Sequence, residues 1–166
     1  MGNKLRIAIV TPVFNDWEAF SLLLANIDRE LAGGSVRVEV VAVDDASTEA
    51  RTTIAANFGA DGAVRKVDVL RLATNQGHQR AIAIGLAHVH ARVACDVIIV
   101  MDSDGEDRPS DLPQLLEVHR RNPGHIVVAR RSQRSERLMF RTFYVVYKQF
   151  FRFLTGRKID FGNFCS

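Results

Sequence analysis

Cysteine is almost missing from this chain: of 166 residues, only Cys95 and Cys165 carry a thiol. Two cysteines so far apart make neither a disulfide framework nor a zinc site. They read as ordinary small apolar residues in a protein of a reducing compartment. No repeat, low-complexity tract or linker composition interrupts the chain. No apolar run is long enough to span a membrane. The start does not read as a signal peptide, because Lys4 and Arg6 precede a short strand-like run that soon meets Pro12 and Asn15. A large excess of one charge is also lacking. Twenty-two Lys and Arg against 19 Asp and Glu leave a net charge of +3, too little to argue for nucleic acid. The positive charge is uneven, however. Arg130, Arg131, Arg134, Arg137, Arg141, Lys148, Arg152, Arg157 and Lys158 crowd the last quarter. Such an end suits phosphate groups, anionic lipid heads or water.

What is present is an ordinary globular composition, 47% hydrophobic and 25% charged, with enough residues for one domain and a real core. Hydrophobic periodicity predicts strands over Leu5–Thr11 (stopped by Pro12), Val36–Val43, Val67–Leu72, Asp96–Met101 and His125–Ala129. Between them it predicts helices over Trp17–Leu31, Glu49–Phe58, His78–Val93 and Ser110–Arg121, with a last helix over Ser135–Leu154. The third of these carries Ile82, Leu86 and Val89 on one side. Strict β-α alternation implies an α/β fold, a mainly parallel sheet with helices on both faces. Residues 1–166 read as one domain or the larger part of one.

Two acidic motifs stand at predicted strand ends. Asp102-Ser103-Asp104 follows Val97-Ile98-Ile99-Val100-Met101, and Asp44-Asp45 follows Val38–Val43. Carboxylates on a rigid strand end suit a hard divalent cation such as Mg²⁺ or Mn²⁺, which takes oxygen ligands and often shares them with substrate phosphates. Two strands ending in acids suggest one crevice at the carboxyl edge of the sheet. A solvated turn capping the Pro109 helix is the plain alternative for the first motif. Helix capping by Asp45 and Ser47 is the alternative for the second. An EF-hand is excluded, because Gly105 comes too early and a strand, not a helix, precedes the acids. A dinucleotide fold is disfavoured, because the first strand runs into Thr11-Pro12 and not a glycine-rich turn.

Four landmarks occur in order: Thr11-Pro12-Val13-Phe14-Asn15, Val43-Asp44-Asp45-Ala46-Ser47, Asn75-Gln76-Gly77-His78 and Asp102-Ser103-Asp104. Together they make the chain resemble the family-2 glycosyltransferases of GT-A fold. The longer stretches Asn75–Ile82, Met101–Pro109 and Leu154–Phe164 bring it nearest the polyprenyl- and dolichyl-phosphate sugar synthases within that family. Two positions depart from the pattern: Gly105 stands where an apolar residue is usual, and Glu106 where Gln is frequent. Such enzymes also continue beyond the point corresponding to Ser166, which leaves open a chain short of the complete catalytic domain.

The resemblance implies transfer of a sugar from a UDP- or GDP-sugar to a polyprenyl phosphate, with inversion, at the cytoplasmic face of the membrane. It implies Asp102, Asp104 and Glu106 as ligands of Mg²⁺ or Mn²⁺, with Asp102 also able to reach the ribose. Pro12, Phe14, Asn15, Asp44, Asp45, Asn75 and Gly77 would surround the nucleotide. Gly77 precedes a helix whose backbone N–H groups could face an anion. His78 or Arg80 could touch phosphate, although a histidine at a helix start is more often a cap or a surface residue. Arg131 is the catalytic candidate for holding the acceptor phosphate or the diphosphate, with Arg134 beside it; a solvated basic loop is the alternative. Over Leu138–Leu154, Arg141, Lys148 and Arg152 form one stripe among aromatic residues, a pattern suited to a membrane interface and also to a helix packed on the sheet. A transferase acting on a glycan hydroxyl and an inactive nucleotide-binding fragment are the rival functions. Nucleic acid is not an expected partner, and a homo-oligomer is left open.

Overall fold

A computed structural model describes residues 4–50 and 61–129. Residues 1–127 form one compact unit and 128–166 a second. The first contains β1 (Leu5–Val13), α1 (Trp17–Leu31), β2 (Val36–Asp44), β3 (Val64–Arg71), α2 (His78–Arg92), β4 (Val97–Val100), a 3₁₀ turn over Pro109–Asp111 and α3 (Leu112–Arg121). The four strands form a wholly parallel sheet in the order β3-β2-β1-β4. The predicted helices over Glu49–Phe58 and Ser135–Leu154 fall outside the described residues.

Successive side chains of a strand point to opposite faces, and β1 and β2 are apolar on both. Ile7, Ile9 and Val13 join Val38, Val40 and Ala42 in one cluster, which Phe20, Leu24 and Ile27 of α1 and Leu112 after the 3₁₀ turn complete. Ala8 and Val10 join Val41 and Val43 in a second cluster beneath Ala81 and Val89 of α2. Helices therefore cover both faces, as the alternating sequence predicts. The buried stripe of α2 is Ala81, Gly85 and Val89, with Ile82 and Leu86 only half-buried. It is shifted by one residue from the larger side chains that periodicity selects. Close approach is the reason: a Cβ on Gly85 would stand 2.5 Å from Val10 and 2.7 Å from Val43. Small residues let this helix lie directly on the sheet.

Among the differences in the strands, which include β3 at Val64–Arg71 and β4 at only Val97–Val100, two have a clear physical cause. Pro12 does not stop β1, which runs to Val13. Even-numbered residues of β1 direct their backbone toward β4, as the bonds Asp96 N–H to Arg6 O and Met101 N–H to Val10 O show. The ladder with β4 ends at Val10↔Val100, whereas that with β2 continues through Val13↔Asp44. The N–H that proline lacks would point past the end of β4, so no ladder bond is lost. The second difference is a correction: His125–Ala129 is not a strand. Ile126 is almost wholly exposed, and nothing pairs with this run among the described residues. β-Branched residues fit a strand only where a neighbouring edge receives them.

At the amino edge of the sheet, Arg6 and Asp96 close the β1–β4 pair. The guanidinium meets the carboxylate at 2.7 Å, and the Arg6 backbone N–H donates to it at 2.9 Å. These bonds hold the Asp96 carboxyl down at about 2.

Candidate functional site

All strands of a parallel sheet end at the same rim, and in open α/β sheets that rim is where ligands bind. β1 lies between β2 and β4. The acids after β2 and those after β4 therefore flank Pro12, Val13 and Phe14 at the end of β1.

On the β2 side, Asp44 and Asp45 are 5% and 4% exposed, and backbone amides hold both. Asp44 Oδ1 accepts from Ser47 N–H at 2.8 Å, while Arg71 Nε approaches Oδ2 at 3.7 Å. Asp45 accepts from Gln76 N–H at 2.7 Å on one oxygen and from Gly77 N–H at 2.9 Å on the other. Charge-assisted bonds of this kind stabilise a buried carboxylate. Among the described residues, Asp45 fixes the chain leading into α2; most of the helix that the capping alternative concerned lies outside them. Gly77, at φ 83° and ψ 154°, occupies backbone space open essentially to glycine alone.

Asn15 binds two loops together. Its Oδ1 accepts from Thr48 N–H at 2.8 Å and Glu49 N–H at 3.0 Å, and its own N–H donates to Ser47 Oγ at 3.0 Å. Asn15 and Ala46 both adopt positive φ, 57° and 60°. For a residue with a Cβ this is an uncommon and costly conformation, of the kind that clusters at functional sites.

Pro12, Val13, Phe14, Asp45, Asn75, Gly77 and His78 line a cleft of about 220 Å³. Five residues expected around a nucleotide thus meet in one concavity: Pro12, Phe14, Asp45, Asn75 and Gly77. Asn15, Asp44 and Asp102 are not among its lining residues; Asn15 and Asp44 brace the loops beside it. Phe14 is half-exposed, an aromatic face presented to solvent.

On the β4 side the two aspartates of the motif diverge. The Asp102 N–H donates to Asp107 Oδ2 at 2.9 Å, and its Oδ1 lies 3.5 Å from His78 Nε2. His78 therefore touches both the cleft and the end of β4. Ser103 is buried, with Oγ 3.4 Å from the Pro12 carbonyl, so the turn is pinned to the carboxyl end of β1. Asp104 accepts from Glu106 N–H at 2.8 Å. It lines a separate, larger cleft of about 420 Å³ against α1, with Leu22, Asn26, Arg29 and Arg108. Asp102, Asp104 and Glu106 are not drawn into a ligand set: among the described residues, no three His, Cys, Asp or Glu side chains are gathered to hold a metal ion. Arg131, Arg134 and the basic aromatic stretch Leu138–Leu154 lie outside the described residues.

Sequence reasoning gave His78 little weight and did not single out Asp107; the structure sets the first at the cleft and the second against the Asp102 amide. The available signal for His78 was its place directly after Asn75-Gln76-Gly77. For Asp107 it was an acid five residues past Asp102, within reach of a backbone amide across a tight turn.

Comparison with known proteins accords with this geometry. The family model described as "Glycosyl transferase family 2" matches residues 8–164. The undecaprenyl-phosphate 4-deoxy-4-formamido-L-arabinose transferase of Klebsiella pneumoniae is 28% identical over 136 residues, which cover 82% of this chain and 39% of that protein. The dodecaprenyl-phosphate galacturonate synthase of Rhizobium johnstonii is 28% identical over 140 residues, covering 83% and 39% respectively. The chain thus spans about two fifths of the length of these curated relatives. The crystal structure of S. aureus TarS 1–349 shares the fold with a TM-score of 0.51 at 18% identity, over 76% of this chain and 39% of that one.

Proposed function

The chain belongs to glycosyl transferase family 2, and from that premise we propose that it binds a nucleotide-sugar at the carboxyl edge of its sheet and serves transfer of the sugar to a polyprenyl phosphate. One observation carries the reading: Asp45 after β2 lines the cleft of Pro12, Phe14, Asn75 and Gly77, and His78 on the same cleft lies 3.5 Å from Asp102 after β4. The acceptor class is supported by the relatives, whose names specify undecaprenyl and dodecaprenyl phosphate. The donor is a UDP- or GDP-sugar.

Each residue has a distinct task in this reading. Phe14 and Pro12 offer apolar surface to the base. Asp45, by holding Gln76 and Gly77, keeps the start of α2 open toward the cleft, where free backbone N–H groups of a helix N-terminus favour phosphate. Asp102 faces the ribose and diphosphate side. A lipid phosphate is already an anion, so it attacks the anomeric carbon without a general base, and direct attack inverts that centre. Arg131 would hold the acceptor phosphate or the diphosphate through its guanidinium fork.

A divalent cation fits the donor chemistry of the Asp102–Glu106 turn. Mg²⁺ is commonly held by one or two carboxylates plus substrate phosphates, not by an all-protein cage, so a turn without a preformed trio suits a metal that arrives with the diphosphate. Asp102 and Asp104 would hold it, Glu106 would assist, and the ion would supply charge neutralisation on the leaving diphosphate. Attachment at the inner face of the membrane would come from the basic aromatic stretch Leu138–Leu154. No helix among the described residues is long and apolar enough to cross a membrane.

Calorimetry with UDP and GDP, with and without Mn²⁺, tests the donor half of the proposal. Saturable binding of one nucleotide, strengthened by the ion, is the expected result; no binding of either would remove it. Turnover from the preferred nucleotide-sugar to polyprenyl phosphate, against a glycan acceptor, tests the other half. Flotation with anionic liposomes tests the membrane role of Leu138–Leu154.

A further inference from the structure

Phe14 lines the cleft half-exposed, and the segment after β2 holds its main chain on both sides. The Asp45 N–H donates to the Val13 carbonyl at 2.9 Å, which fixes the peptide before Phe14. The Asn15 N–H donates to Ser47 Oγ at 3.0 Å, which fixes the peptide after it. Ser47 is itself buried, and its own N–H donates to Asp44 Oδ1 at 2.8 Å. Neither Ser47 nor Asp44 lines the cleft. We propose that Ser47, seated on Asp44, is a positioning residue that holds the Phe14 ring where it stacks on the nucleotide base. This rests on the nucleotide-sugar reading above and gives a task to a buried pair which that reading leaves unused.

The physical case is one of constraint. Peptide units are planar, so φ and ψ alone set the direction in which a side chain leaves the backbone. With both flanking peptides tied, those two angles of Phe14 are set, and only the staggered choices of the ring remain. The need for a tie is local. Phe14 lies one residue beyond the last ladder register, Val13↔Asp44, and just before Asn15, whose φ of 57° turns the chain toward α1. Without Ser47 the residue would have a ladder on one side and a left-handed turn on the other. Freedom of that kind is lost when a ligand is bound, at a cost in affinity. Serine suits the place. It is small enough to be buried, its hydroxyl accepts an N–H, and the Asp44 carboxylate strengthens the bond to its own amide. Asn15 adds a second tie to the same segment, because its Oδ1 accepts from Thr48 and Glu49 N–H.

Two measurements on the full chain test this. In the first, amide hydrogen exchange is followed without ligand. Ser47→Ala is expected to speed exchange at Asn15 by roughly tenfold, the scale of one hydrogen bond. Asp45, whose N–H the Val13 carbonyl holds, should keep its rate. An unchanged Asn15 rate would overturn the proposal. In the second, calorimetry with Mn²⁺ compares UDP and GDP with inorganic pyrophosphate, which has no base. Phe14→Ala and Ser47→Ala are each expected to weaken binding of the preferred nucleotide by roughly tenfold, the scale of one base stacked on an aromatic ring. Pyrophosphate binding should stay as it is. The double variant should bind the nucleotide as Phe14→Ala does, because Ser47 acts through that ring. Equal losses for nucleotide and pyrophosphate, or losses that multiply in the double variant, would overturn the positioning role. If the unaltered chain binds neither nucleotide, the nucleotide reading fails and the positioning role fails with it, while the exchange rates still decide whether Ser47 holds the Asn15 amide.

Discussion

The two edges of the sheet manage charge in opposite ways. At the amino edge, Arg6 and Asp96 pair side chain to side chain, and each is well exposed. At the carboxyl edge, Asp44 and Asp45 are buried, and their main partners are backbone amides. An exposed ion pair is screened by water and worth little. A buried carboxylate that holds two N–H groups dictates where a loop runs. The amino edge thus closes a sheet, whereas the carboxyl edge shapes a cleft, with costly backbone at Asn15 and Ala46 and a glycine-only turn at Gly77.

If that contrast is right, Asp45→Ala should have the largest effect. It strands the Gln76 N–H, at a cost of about 1–3 kcal/mol, leaves the Gly77 N–H with only Asn75 Oδ1 at 3.1 Å as acceptor, and loosens the cleft. Urea unfolding should show the stability loss, and calorimetry a loss of nucleotide binding exceeding that of any substitution at the opposite edge. Gly77→Ala should follow, at about 1–3 kcal/mol, because the alanine Cβ meets no neighbour yet cannot share this φ and ψ comfortably. A Gly77→Ala chain with unchanged stability would show that the turn adapts freely, which would blunt the contrast.

Asn15→Ala comes next. It removes the acceptor for Thr48 and Glu49 N–H on an exposed loop. About 1 kcal/mol of stability should be lost, together with faster amide exchange at residues 48 and 49, which hydrogen-exchange spectra would register. Asp96→Asn should matter least and should leave nucleotide binding untouched. Its signature lies in pH. The Asp96 carboxyl, near 2 when folded against 3.8 as the ordinary value, contributes stability that is fully present above the ordinary value and fades as pH falls through about 2. The difference in melting temperature between the unaltered chain and Asp96→Asn should therefore be constant at neutral pH and shrink between about pH 4 and pH 2. A difference that grows on acidification would contradict the assignment.

The legible parts of this molecule were those where one local rule acted alone. Helix α1 spans Trp17–Leu31 as predicted and buries Trp17, Phe20, Leu23, Leu24, Ile27 and Leu31 at helical spacing, because an amphipathic helix announces its buried face. The parallel order followed from alternation. Less legible were features set by a neighbour. The buried face of α2 depends on how closely Gly85 approaches Val10, and the fate of His125–Ala129 depends on a pairing partner that periodicity cannot supply. At the site, motif positions indicated which residues gather at the rim, and Pro12, Phe14, Asp45, Asn75 and Gly77 do gather. What each one bonds was hidden. The partners of Asp45 lie 31 and 32 residues away, and the divergence of Asp102 from Asp104 is a matter of torsions in a tight turn.

Pro12 has a consequence for how the molecule avoids error. β1 outlasts β4, and such a step in a sheet invites the shorter strand to keep zipping, which would draw Asp102 and Asp104 into the ladder. A parallel ladder grows only if each strand keeps offering donors, and the next residue of β1 whose backbone faces β4 after Val10 is Pro12, which has none. One missing hydrogen atom acts as a stop codon for hydrogen bonding, and it keeps the acidic turn available for chemistry.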